Sequence, residues 1–248
     1  MENNELEHFN RMAIKKGYAW WGSKTYSGQI RKKSRTQNAK KFVGDLNNKV
    51  ILEIGCACGD YTKFLYKEFG DKNKIIASDL SPEQIKLAVI YNKDINVEFL
   101  VDNCEKMSFK NGSIDCIIAN SILHHVDIDE CLKECFRVLK EDGQIFFTEP
   151  NMFNPQVFLE KNVMFIKKLA GHSKNEKAFY RWDVAKKLAE HGFQYNIVKN
   201  FDFLHPATPK VLTNFLNFIS KYLEEIPLIK EISGSLIILG LTRLRKNI

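Results

Sequence analysis

From Lys49 onward, short apolar runs alternate with helical stretches, and no other feature limits the possible folds of this 248-residue chain so strongly. The runs at 50–54, 75–77, 97–101, 114–119 and 144–148 are near-continuous in apolar residues, as strands buried on both faces of a parallel sheet must be. Helices are expected over 61–69, after Ser81-Pro82, after Asp127 and over 182–191. Ser81 with Gln84, and Asp127 with Glu130, have capping-box spacing, and Pro82 suits the first helical position. Glu141-Asp142-Gly143 reads as a turn into the fifth strand, and Gly192 as the stop of the 182–191 helix. Two further strands, at 194–203 and 236–244, complete the set. The expected fold is α/β: a doubly wound, Rossmann-like, seven-stranded, mostly parallel sheet with an antiparallel last strand and helical cap insertions. Ligands should gather at the carboxyl ends of its strands.

Three segments stand apart from that pattern. Residues 1–44 form a basic, aromatic arm that carries Tyr18, Trp20, Trp21 and Tyr26, and residues 45–248 form the main domain. Cap insertions are expected at about 151–180 and 205–232. In the second of these, Leu212, Phe215, Leu216, Ile219, Tyr222, Leu223 and Ile226 recur at helical spacing, which reads as a cap packed over the sheet rather than as a membrane surface.

Charge is unevenly placed. The chain carries a net +7, with ten Lys or Arg and no acid between Arg11 and Gly44, so the remainder is net acidic. A basic surface spread over the whole molecule would point to nucleic acid. A single basic arm points to a local anion, or to a solvated helix face. Six scattered cysteines, no apolar run of membrane-spanning length and a polar start at Met1-Glu2-Asn3 imply a cytoplasmic protein. Cys56 and Cys58, and Cys131 and Cys135, join no His or acid at zinc spacing, so no metal is expected.

The chemistry-bearing segment is Val50-Ile51-Leu52-Glu53-Ile54-Gly55-Cys56-Ala57-Cys58-Gly59-Asp60. A glycine turn after a first strand lets a ligand approach the backbone where a Cβ would clash. The spacing is not that of a dinucleotide fingerprint, and no Gly-Lys-Ser/Thr follows to grip phosphates. Glu53 suits a cationic ligand better than a pyrophosphate. Asp79 ends the second strand about twenty residues on, where an acid takes ribose hydroxyls. Asp102-Asn103 ends the third, placed to read an adenine edge. Each acid alone could be a cap or a solvated turn.

With these residues in view, the chain resembles class I S-adenosylmethionine-dependent methyltransferases. The resemblance rests on Leu52-Glu53-Ile54-Gly55-x3-Gly59, on Ser78-Asp79-Leu80-Ser81, and on the run from Asp102 through Phe109, Gly112, Ser113 and Asp115. Asn120-Ser121-Ile122-Leu123-His124-His125-Val126 and Phe136-Arg137-Val138-Leu139-Lys140-x2-Gly143 resemble the type 11 branch, which includes ubiquinone and menaquinone biosynthesis enzymes. It covers about residues 45–150, with Ala57 where the family usually has a glycine. The resemblance implies that Glu53, Gly55, Cys56, Ala57 and Gly59 face the methionine part of S-adenosylmethionine and Asp79 with Leu80 the ribose. It also implies that Asp102, Asn103 and Cys104 hold the adenine, while Asn120 borders the sulfonium.

Catalysis and acceptor binding fall on other residues. His124, and Glu149 at the end of the fifth strand, are candidates for a base. His125, Arg31 and Arg181 are candidates for holding the acceptor, and Tyr18, Trp21 and Tyr26 for closing over the site; each has plain packing or solvation as its alternative. The expected activity is methylation of a small-molecule acceptor, most simply at oxygen, on an anionic, sugar or lipid-linked metabolite. Peripheral membrane contact stays open. The rivals are a nucleic-acid (RNA) methyltransferase, disfavoured because Asn120-Ser121-Ile122-Leu123 lacks an Asp/Asn-Pro-Pro-aromatic motif, and a non-catalytic S-adenosylmethionine-binding scaffold.

Overall fold

The computed structural model describes residues 6, 7, 9–11, 13, 14, 24–163 and 177–243. Seven strands form one sheet: β1 (Val50–Ile54), β2 (Lys74–Asp79), β3 (Glu98–Val101), β4 (Ile114–Asn120), β5 (Leu139–Pro150), β6 (Tyr195–Phe201) and β7 (Ser235–Leu241). Their order is β3-β2-β1-β4-β5-β7-β6. Neighbours from β3 to β5 run parallel, and β7 lies antiparallel between β5 and β6. The chain leaves β1 for β2 on one side and returns to β4 on the other, which places a topological switch point at the carboxyl end of β1.

Helices cover both faces: α1 (Tyr26–Val43), α2 (Thr62–Phe69), α3 (Pro82–Tyr91), α4 (Ile128–Val138), α5 (Pro155–Asn162), α6 (Arg181–Glu190) and α7 (Lys210–Leu223). Successive strand residues point to opposite faces, so Ile51 packs with Ala39, Val43, Leu65 and Phe69 while Leu52 packs with Leu132, Val184 and Leu188. Ala39 and Val43 belong to α1, which therefore forms part of the core rather than a separate arm. The caps read from sequence are present. Ser81 Oγ accepts from Gln84 N at 3.1 Å, and Asp127 Oδ1 accepts from Asp129 N and Glu130 N at 3.0 and 3.2 Å.

Two expectations need correction. The turn at Glu141-Asp142-Gly143 lies inside β5: Ile114 pairs with Leu139 and Cys116 with Gln144, and the extra residues form a bulge between these two pairs. Thr242 holds that bulge in place, its hydroxyl donating to the Glu141 carbonyl at 2.5 Å and its N–H to the Gly143 carbonyl at 3.0 Å. The apolar stripe of 212–226 is only partly covered: Leu216, Ile219 and Leu223 are half-buried, whereas Leu212, Phe215, Tyr222 and Ile226 are exposed. On α7 the buried residues are Thr213 and Ser220, while Phe215 and Tyr222 face solvent. Ser220 is drawn inward by its bonds, accepting from Phe203 N at 3.0 Å and donating to Glu224 Oε1 at 2.8 Å.

Candidate active site

A cavity of about 430 Å³ opens at the carboxyl ends of β1, β2 and β4, a size usual for small-ligand sites. One part of its wall is the turn after β1. Gly55 (φ +69°) and Ala57 (φ +48°) both have left-handed backbone there, which explains why a glycine is the ordinary residue at the second position. At Gly55 the constraint comes from the protein itself, since an added Cβ would lie 2.7 Å from Ile122 Cδ1. Gly59 does not reach the cavity. Its φ of +76° brings it against Asn92, whose Nδ2 would lie 2.3 Å from any Cβ. The assignment of Gly59 to the ligand is thus replaced by a packing role.

Asp79 buttresses the turn. Its carboxylate accepts from Ala57 N and Ser81 N, each at 2.9 Å, and those bonds oppose a pKa raised by burial. Glu53 is fully buried on the same wall, with Thr62 Oγ1 donating to one oxygen at 2.6 Å. Burial pushes its pKa up to about 8, so the ionised form is costly without a cation beside it. Leu80, Cys56, Asp102, Asn103 and Cys104 also line the cavity. Asp102 accepts from Ser108 N at 3.2 Å, and Asn103 Oδ1 from Glu105 N at 2.8 Å, which fixes the loop after β3.

The loop after β4 supplies the two histidines, both on the wall. His124 Nδ1 lies 2.7 Å from Glu149 Oε2. Glu149 itself is not on the wall: its other oxygen accepts from Ile122 N and Leu123 N at 2.8 Å each. Its place as a candidate base is corrected accordingly, because both oxygens are engaged with the loop it braces. Burial raises the Glu149 pKa to about 7 against the pull of those two N–H groups. His125 packs against His124, with ring centroids 4.0 Å apart, and edge-on against Phe9 at 5.1 Å.

Basic residues of α1 form the remaining wall. Arg31 Nε donates to Asp202 Oδ2 at 2.7 Å, and Lys32 pairs with Asp60. Burial lowers the Lys32 pKa to about 8. Arg35 is buried, donates to Asn120 Oδ1 and to Ser235 Oγ (3.1 Å), and lies 3.7 Å from Asp202. Its Nε is buried and has no hydrogen-bond partner among the described residues. Burial and neighbouring Arg31 lower the Arg35 pKa to about 10, which leaves it charged at neutral pH. Three of the ten basic residues of the arm thus line the cavity, and Asp60 and Asp202 answer them from the main domain.

Other expected acceptor residues lie elsewhere. Tyr26 is off the wall, donating to Asn214 Oδ1 of α7 at 3.0 Å. Arg181 is off it too, paired with Glu231 at 3.1 Å and near the Trp182 ring. Tyr18 and Trp21 lie outside the described residues. Sequence reasoning passed over Lys32, Arg35, Asp60, Asp202 and Ser235. The i, i+1, i+4 spacing of Arg31, Lys32 and Arg35 was a readable sign of one helix side, but nothing local marked which side faced inward. Among the described residues, no group of three His, Cys, Asp or Glu could hold a metal, and no helix is long and apolar enough to cross a membrane.

A sheet of this order, with a glycine turn after β1 and acids closing β2 and β3, defines the class I methyltransferase fold. Residues 51–143 match the family model described as a methyltransferase domain. Demethylmenaquinone methyltransferase of Lactococcus lactis is 32% identical over 153 residues, 57% of this chain and 60% of that protein. The chain thus spans about 60% of the length of the curated relatives it matches first. A Thermotoga maritima structure described as a SAM-dependent methyltransferase, possible histamine N-methyltransferase, has TM-score 0.67 at 20% identity, covering 96% of this chain and 99% of that one. Haemonchus contortus phosphoethanolamine N-methyltransferase 2, solved with phosphomonomethylethanolamine and S-adenosylhomocysteine, has TM-score 0.66 at 15% identity, covering 98% and 61%.

Proposed function

We propose that the chain is an S-adenosylmethionine-dependent methyltransferase acting on a small, hydroxyl-bearing acceptor that reacts as an anion. The observation that carries this reading is a single cavity with two unlike walls. Glu53, Asp79 and Asp102 line it near the ends of β1, β2 and β3, whereas Arg31, Lys32 and Arg35 of α1 line it with their partners Asp60 and Asp202, three cations against two acids, and His124 lines it as well.

The acidic side fits the cofactor. Glu53 is a buried carboxylate raised to about 8, and a cationic amino acid group beside it would relieve that cost. Asp79 would take the ribose, and Asp102 with Asn103 the adenine. When bound, S-adenosylmethionine supplies an electrophilic methyl group on a sulfonium. The protein's own part is alignment, exclusion of water and removal of one proton.

That proton goes to His124. Glu149 accepts from Nδ1–H and holds the ring as the tautomer whose Nε2 is basic, so Glu149 is a positioning residue. Arg35, with a buried Nε–H still to donate, complements the oxyanion left on the acceptor. Attack through oxygen is the first reading. A second, through carbon, is favoured by the quinone named in the Lactococcus relative. Loss of the proton from a hydroxylated ring places charge on the oxygen and on the neighbouring ring carbon; after methylation at carbon the proton of that carbon passes to the oxygen and restores the aromatic ring, so one net proton leaves in either outcome.

The test is turnover of His124→Ala against a panel of phenols, hydroquinones and hydroxy acids, alongside calorimetric S-adenosylmethionine binding. The variant should bind the cofactor as the parent does and lose at least about a hundredfold in kcat. Unchanged kcat removes His124 as the base, and absence of cofactor binding by the parent removes the whole reading. Product NMR separates O-methyl from C-methyl.

A further inference from the structure

Helix α7 buries part of its apolar surface, with Leu216, Ile219 and Leu223 half-buried, and turns a second apolar stripe outward. At 100° per residue, Val211, Phe215, Phe218 and Tyr222 fall on one narrow stripe, and Ile226 prolongs it beyond the helix. A helix of a globular domain turns such a stripe inward. Here the four are 84%, 60%, 58% and 60% exposed, while the opposite side carries the buried Thr213 and Ser220. The helix is held against the body by Phe203 N donating to Ser220 Oγ, by Asp202 N donating to Glu224 Oε1 at its C-terminal end, and by the Tyr26–Asn214 bond to α1. This orientation is therefore built in.

The surroundings say what covers the stripe. Neither α7 nor the adjacent α1 contains an acid, and α1 carries six Lys or Arg. Lys33 of α1 and Lys221 of α7 are exposed and line a shared groove with Ile30, Ser34, Gln37 and Asn217. Neither lysine has a hydrogen bond or ion pair among the described residues, unlike Arg31 with Asp202, Lys32 with Asp60 and Lys40 with Asp45. Lys210 sits over the Tyr26 ring at the same boundary, with 5.6 Å to the centroid. An aromatic and aliphatic ridge beside unneutralised lysines is the pattern of a helix lying in a lipid interface, its apolar side among acyl chains and its cations at the headgroups.

We infer that the protein docks on the surface of an anionic bilayer through the Val211–Phe215–Phe218–Tyr222 ridge of α7, with Lys33 and Lys221 meeting the lipid headgroups. The contact is peripheral, and it holds whatever acceptor the cavity takes.

Flotation of the full chain with phosphatidylcholine vesicles, with and without phosphatidylglycerol, tests this. The parent should float with the phosphatidylglycerol vesicles and about 25-fold less with phosphatidylcholine alone. Phe215→Ser with Phe218→Ser should weaken binding to both by at least about tenfold. Lys33→Glu with Lys221→Glu should abolish the preference for phosphatidylglycerol, each lysine accounting for about fivefold. All four side chains are exposed, so an unchanged thermal transition and unchanged S-adenosylmethionine binding should accompany both variants. The inference is overturned if the parent does not float, or if the double serine variant floats equally well. It is also overturned if the parent forms a concentration-dependent dimer in sedimentation that the serine variant loses, since a second copy then covers the ridge.

Discussion

Replacing Glu53 by Gln separates the cost of the buried carboxylate from its use. In the folded protein its pKa is raised from 4.5 to about 8, chiefly by burial. The folded state therefore binds more protons than the unfolded state between these two values, and stability must fall as pH rises through that window. Once the group is ionised in both states the loss is complete, on the order of 5 kcal/mol for a rise of this size. Glutamine has nearly the same shape, and its carbonyl can still accept from Thr62 Oγ1, now 2.6 Å from Glu53 Oε2. Urea unfolding from pH 5 to pH 9 should show the parent losing stability across the window relative to Glu53→Gln, with the variant the more stable above pH 8. Calorimetry at pH 8 should show the reverse for the cofactor, with S-adenosylmethionine held about ten- to a hundredfold more weakly by the variant, as expected for loss of a charge-assisted hydrogen bond. Parallel stability curves over the whole range would refute the electrostatic argument. Equal cofactor affinity would refute the placement of the cofactor's cationic group beside Glu53.

Other substitutions probe the rest of the site. Asp79→Ala leaves the N–H groups of Ala57 and Ser81 without their acceptor and should cost about 2–4 kcal/mol in urea unfolding, with cofactor binding lost in calorimetry. Ala57→Gly relieves a φ of +48° and should raise stability by about 1 kcal/mol, read as a higher denaturation midpoint at unchanged slope. Glu149→Gln would present an amide N–H to His124 Nδ1 and reverse the tautomer. Its kcat should fall about a hundredfold or more at unchanged cofactor affinity, with the acidic limb of the pH–rate profile displaced, which a purely structural role would not produce. Ser81→Ala should cost about 1 kcal/mol through loss of the α3 cap.

Elements with local causes were legible in the chain. The strands announce themselves as apolar runs, and Ser81 and Asp127 cap helices that begin where their hydroxyl and carboxylate can reach N–H groups two or three residues on. Asp79 and Asp102 could be placed because they end strands whose direction the pattern implies. Long-range choices were not legible. Both readings of α7 give the same stripe, and only the inward bonds of Ser220 decide which side packs. The paired Arg35 and Asp202 are 167 positions apart, and β7 must lie between β5 and β6 before Ser235 can meet Arg35. Glu149 could be read as the end of a strand, but its engagement with Ile122, Leu123 and His124 depends on β4 and β5 being neighbours.

Helix α1 joins two roles that other folds keep apart. Its Ala39 and Val43 are set in the core, whereas Arg31, Lys32 and Arg35, one to two turns earlier, stand on the cavity wall. Because the core end fixes the axis of the helix, the three basic side chains work like interchangeable teeth on a fixed key. A descendant lineage that exchanged them, together with Asp60 and Asp202 opposite, would acquire a differently charged cavity while the strands, the glycine turn and the Asp102–Asn103 loop stayed as they were.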